Sequence, residues 1–170
     1  MFSFLFGEKT EFSSAIVRRI VGRAAAQAAA AGPTAFLVGT DLPLITGIWT
    51  YMVCRIAGEH GKDNFSEGNC TKFVTAVLTA ASAWMAGSGI VSKLIACTGI
   101  GLPLGVGLNS AVNAFYTYRI GKIFDRLCLD DSGWMTVKEL GIIAGKQMLP
   151  MPSISEIRDF LGLFREFKSQ

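Results

Sequence analysis

The residues of this chain that could do chemistry are few and stand in apolar company. Asp41 lies between apolar segments, and a carboxylate held in a core or within a membrane is a functional candidate by default. Its place just ahead of Leu42-Pro43 is equally that of a helix N-cap, with the carboxylate accepting backbone N–H groups. Asn109 and Asn113 stand one turn apart on an otherwise apolar helix and therefore face the same way. They can hydrogen-bond across to the helix that follows Asp41, at about 1 kcal/mol for each bond. The sharper alternative is that the three polar residues line a channel or substrate path.

Other constellations are thinner. His60 is the only histidine and sits at a helix end between Glu59 and Asp63. Metal binding or general-base work needs more ligands at closer spacing, whereas a helix C-terminus suits an imidazole as a cap. Asp130, Ser132 and Glu139 fall at calcium-loop positions if Gly133 takes the sixth, but Cys128 then stands where the first oxygen ligand belongs. Cys54, Cys70, Cys97 and Cys128 show no CxxC spacing and read as reduced thiols. No GxxxxGK[ST] is present, which argues against nucleotide hydrolysis. No catalytic residue, metal site or cofactor is expected.

These residues must be positioned by a very apolar chain. Of 170 residues 51% are hydrophobic and 17% charged, with a mean hydropathy of +0.42, against roughly 25% charged in an ordinary soluble domain. Residues 73–92 and 94–118 carry no charge, and only Lys93 separates them. Each is long enough to span a bilayer as a helix, for which roughly 20 residues suffice, yet Gly99, Gly101, Pro103, Gly105 and Gly107 break the second. A break at about 90–101 would leave a helical hairpin with the asparagine pair inside it. The net charge of +3 is too weak and scattered for nucleic acid but suits an anionic lipid surface.

The expected fold is all-α: a compact bundle of about five to six helices around a central apolar helical hairpin, with amphipathic helices at both termini. One domain fills 1–170, its apolar core about 24–129 and its C-terminal amphipathic extension about 134–168. A first helix over 11–31 carries a Phe12, Ile16, Ile20, Ala24 stripe, and Arg18, Arg19 and Arg23 mark another side. Its alanine-rich second half would let neighbours pack close. Thr136-x-x-Glu139 and Ser153-x-x-Glu156 have capping-box spacing and open two short helices. The last presents Ile157, Phe160, Leu161, Phe164 and Phe167 on one side. Segments 39–57 and 103–121 match at an offset of 64, pairing Tyr51 with Phe115, Arg55 with Arg119 and Ile56 with Ile120.

Those two segments also carry a family resemblance. Gly32-Pro33, Gly39-Thr40-Asp41-Leu42-Pro43 and Arg55-Ile56-Ala57 in the first, and Gly99-x-Gly101-x-Pro103, Asn109, Asn113, Thr117 and Arg119-Ile120-Gly121 in the second, resemble an uncharacterised bacterial helical domain. That domain is found fused to, or encoded beside, Era-like or dynamin-like small GTPases. The chain departs from it at His60-Gly61, where Tyr-Gly is common, and the GTPase half is missing. The resemblance implies an accessory, membrane-docking module that partners a small GTPase in trans. The functional expectation is a non-enzymatic membrane-associated scaffold or recruitment module, with transmembrane helices, at the inner membrane or the cytoplasmic face of a membrane. Membrane lipids and a homo-oligomeric partner are expected, with Arg18, Arg19, Arg23, Arg55, Arg119, Phe160 and Phe164 as lipid or partner contacts. The alternatives are a soluble cytoplasmic bundle that oligomerises and a small channel or transporter subunit.

Overall fold

Hydroxyl side chains start the helices at both ends of the chain. Ser14 Oγ accepts the Val17 N–H at 3.1 Å, and Ser153 Oγ accepts that of Glu156 at 3.1 Å. Between these caps the computed structural model describes residues 11–31, 42–88, 103–130 and 135–168. They form six helices: α1 Ala15–Ala31, α2 Leu42–Glu59, α3 Glu67–Ser88, α4 Pro103–Leu129, α5 Val137–Gln147 and α6 Ile154–Lys168. Among the described residues there is no strand, and the helices pack on one another as an all-α bundle.

The core face of α1 is Val17, Val21, Ala24, Ala25 and Ala28, all buried. The expected stripe is therefore rotated, because Ile16 is half exposed at 49%. α1 packs on three helices at once, α4 most extensively. Its thin alanine half makes that possible, since small side chains let backbones approach. On α2 the positions Ile45, Trp49, Met52, Val53 and Ile56 are buried at helical spacing.

The most extensive packing of all joins α3 to α5. A Cβ on Gly141 would lie 2.6 Å from the Phe73 carbonyl oxygen and 2.7 Å from the Ala76 methyl. One on Gly145 would lie 2.6 Å from the Ala80 methyl and 2.9 Å from the Val77 carbonyl. The register 141 on 73–76 and 145 on 77–80 makes the two helices parallel, with the G-x-x-x-G of α5 set against alanines of α3. Sequence reading passes over this motif because α5 is short and polar outside. α3 and α4, expected as a hairpin, meet among the described residues through Phe73 and Phe124, whose ring centroids are 4.9 Å apart. The expected break at 90–101 falls outside the described residues.

The expected transmembrane helices are not found: among the described residues no helix is long and apolar enough to cross a membrane. Among the described residues, the helices that enter the uncharged runs also carry charge. α3 spends its first turns on Glu67, Asn69, Thr71 and Lys72, and α4 ends on Arg119, Lys122, Asp125 and Arg126. Neither keeps the roughly 20 apolar residues a span needs.

Candidate functional site

Two polar clusters and one exposed flank are built by this bundle. The first cluster joins three distant segments. Asp125 on α4, 2% exposed, accepts the Ser13 backbone N–H at 2.8 Å and the Ser13 hydroxyl through its other oxygen. His60 Nε2 lies 2.7 Å from Asp125 Oδ1 and 3.3 Å from Ser13 Oγ. Serine, histidine and aspartate are thus together, but hydroxyl and carboxylate share one imidazole nitrogen and the serine donates to the aspartate. A hydrolytic triad needs them on opposite nitrogens. This arrangement is a clasp holding the start of α1 and the end of α2 to α4. The expected helix-end role of His60 belongs to its backbone, whose N–H reaches the Ile56 and Ala57 carbonyls, while Gly61 takes the left-handed φ of +62° just after.

The second cluster docks α6. Arg119, 4% exposed, pairs through Nε with Glu156 Oε1 at 2.9 Å. Its Nη1 donates to the Met148 carbonyl at 2.8 Å and the Pro150 carbonyl at 2.6 Å. Arg119 thus satisfies the chain between α5 and α6 as well as α6 itself. Glu156 consequently does not complete the expected capping box, although Thr136 and Glu139 do complete theirs. Lys122 Nζ hydrogen-bonds the Tyr118 hydroxyl at 3.2 Å and lies 3.8 Å from Asp159, an electrostatic contact rather than a hydrogen bond. Burial lowers the Lys122 pKa and raises that of Tyr118. On the surface, Glu166 pairs with Arg18 at 2.8 Å, which raises the arginine's pKa and lowers the carboxyl's.

These contacts fix how α6 is turned. Phe160 and Leu163 are buried, and the Phe160 ring packs edge-to-face on Phe115 and tilted against Tyr118. The carboxylates of Glu156, Asp159 and Glu166 lie to one side of that face and are taken up by α4 and α1. The opposite flank carries Ile154, Ile157 and Leu161, which are 78%, 40% and 45% exposed, with exposed Arg158 and Arg165 at its outer edge. Just before the helix, Met151 is 68% exposed. The result is an apolar strip with basic residues beside it.

The residues expected to contact lipid or a partner separate accordingly. Arg119 and Phe160 are turned inward, and Phe164 is half-buried. Arg18 is held by Glu166, while Arg19, Arg23 and Arg55 are exposed. Arg55 lies over its i−4 neighbour Tyr51 at 5.9 Å, as Arg119 lies over Phe115 at 6.0 Å, so the repeat-equivalent pairs share a cation–π geometry in opposite surroundings. Of the expected polar trio, Asp41 and the Asn109 side chain lie outside the described residues. Asn113 is half-buried, and its carbonyl accepts the Thr117 hydroxyl at 2.7 Å. Thr117 is fully buried and also accepts the Trp49 indole N–H at 2.8 Å, a bond joining α2 and α4.

Part of the calcium-like loop, 131–134, lies outside the described residues. Among those described, no group of three His, Cys, Asp or Glu side chains is placed to hold a metal ion. Cys54, Cys70 and Cys128 are not in disulfides. Burial pushes the Cys128 thiol up to about 12, and burial with the Cys54 thiol beside it raises Cys70 as well. Comparison with known proteins adds nothing to this geometry: no family model, curated protein or solved structure matches the chain.

Proposed function

We propose that this protein is a non-enzymatic, membrane-associated helical scaffold or recruitment module that lies on an anionic lipid surface through the outer flank of α6. The observation that carries the reading is the strip of Met151, Ile154, Ile157 and Leu161 left exposed beside Arg158 and Arg165 while the other side of α6 is anchored to the bundle. An interfacial helix needs such a pairing of apolar and basic residues. Each large apolar side chain withdrawn from water contributes about 1–2 kcal/mol at these exposures, and each basic residue near an anionic leaflet about 1 kcal/mol. Association of this kind is peripheral, and an alkaline carbonate wash would strip it.

Co-sedimentation with vesicles tests the reading. The chain should pellet with phosphatidylglycerol-containing vesicles, less so with pure phosphatidylcholine, and less again in high salt. If it stays in the supernatant with all vesicles and has the mass of a dimer in solution, the strip belongs to a second copy and the lipid reading falls. The small-GTPase partner implied by the sequence resemblance is part of the same proposal, and co-purification from cells tests it separately.

A further inference from the structure

On another face of the bundle, the close contact of α3 and α5 leaves a groove of about 860 Å³. Its floor is Ala76 and Ala80 of α3 with Ile142 and Leu149 from α5 and the residues after it. Thr71, Thr75 and Thr79 form one wall. The hydroxyls of Thr71 and Thr79 are bent back onto the carbonyls of Glu67 and Thr75, at 3.0 and 2.8 Å, so their protons are donated within α3. The groove is therefore almost wholly hydrocarbon although threonines line it.

Its charges are all of one sign. Lys72, Lys138 and Lys146 stand at the rim, exposed, and no carboxylate is among the lining residues. The parallel register fixed by Gly141 and Gly145 sets Lys138 beside Lys72 at the end where both helices begin. Two ammonium groups thus share that end and favour an anion, with Glu67 and Glu139 in the first turns of the same two helices. The far end closes on Leu149, two residues before exposed Met151. From Thr71 to Ala80 the groove runs roughly 14 Å at the helical rise, the length of an extended alkyl chain of about 12 carbons. A volume of this size lies in the range of small-molecule sites, about 300–1,000 Å³.

We infer that this groove binds a single-chain fatty carboxylate, head group at Lys72 and Lys138 and tail along Ala76, Ile142 and Leu149. The groove complements that molecule: a pair of lysines where its carboxylate sits and hydrocarbon along the course of its tail. Lys146 lies over the tail and contributes through its methylenes, with its ammonium in water.

Titration of the full chain with sodium dodecanoate, below its micelle concentration, tests the assignment by calorimetry. Saturable binding of one molecule per chain is expected, with dodecanol at least tenfold weaker and dodecyltrimethylammonium weaker still. Lys72→Gln/Lys138→Gln should weaken dodecanoate at least tenfold. Thr75→Trp, which fills the groove from an exposed position, should abolish binding, with both variants keeping the wild-type circular dichroism. No saturable binding, equal binding of dodecanol, or binding unaltered in both variants overturns the inference. So does a lysine pair whose loss removes anionic-vesicle binding and leaves dodecanoate untouched, which would make the groove a bilayer contact. Because dodecanoate is tested without vesicles, failure here leaves the reading of α6 standing.

Discussion

Replacing Arg119 by Met removes the side chain on which the docking of α6 depends. Three acceptors lose their donor: Glu156, 18% exposed, and the carbonyls of Met148 and Pro150. Taking away one partner of a buried pair costs about 3–5 kcal/mol, mostly because the other charge stays buried alone. For a chain of this length that is a fall in Tm of about 10 °C, at 2–4 °C per kcal/mol. Thermal and urea unfolding followed at 222 nm would measure it. The double variant Arg119→Met/Glu156→Met should recover about 1–2 kcal/mol by removing the stranded carboxylate while leaving the two carbonyls without Arg119. Arg55→Met is the control at the repeat-equivalent position, exposed and stacked only on Tyr51, and should cost less than about 0.5 kcal/mol. An Arg119→Met cost below about 1 kcal/mol, or a double variant no better than the single one, would refute the reasoning.

Gly145→Ala should destabilise by about 1–3 kcal/mol, since its methyl meets the Val77 backbone and the Ala80 methyl. Gly58→Ala on α2 meets nothing within 4 Å and should stabilise by about 0.5–1 kcal/mol; urea midpoints of the two variants check both signs. Asp125→Ala should cost about 2–3 kcal/mol by releasing Ser13 and His60 together, and speed amide exchange at the start of α1. Stability should fall as pH rises above about 9: the folded state holds the Cys128 proton up to about 12 against an ordinary value of 9.0, with Cys70 and Tyr118 raised in the same direction. Lys122, lowered by burial, opposes this because its folded form sheds its proton sooner. Tyr116 is raised by burial too, so four groups outweigh one, and a urea midpoint that is constant or rises from pH 8.5 to 10.5 would contradict the balance.

The helices were legible where local chemistry decides them. Leu42-Pro43 starts α2, and Thr136 and Ser153 cap α5 and α6 by hydrogen bonds available within four residues. The orientation of α1 was not legible, because its alanine half has no strong stripe and three neighbours choose the face. Arg119 reads as a helix-end cation until α6 folds back to supply Glu156, 37 positions later. Asp125 and His60 likewise look like ordinary surface charges, since their meeting with Ser13 depends on three separate segments. Uncharged length pointed to spans, while the described helices that enter those runs carry charged residues at one end and none is long and apolar enough to cross a membrane. The groove was hidden for a similar reason: Gly141, Gly145, Ala76 and Ala80 become informative only once two helices distant in sequence lie parallel.

The central claim is that α6, pinned along one side, offers Ile154 and Leu161 to an anionic bilayer. Its most direct test is co-sedimentation of Ile154→Gln/Leu161→Gln beside the wild type, on vesicles of phosphatidylglycerol and phosphatidylcholine. Both side chains are exposed, so the variant should keep its unfolding midpoint. Its partitioning should weaken at least tenfold, on the order of 2 kcal/mol. Undiminished partitioning of the variant, or a wild-type chain that ignores anionic vesicles, would contradict the claim.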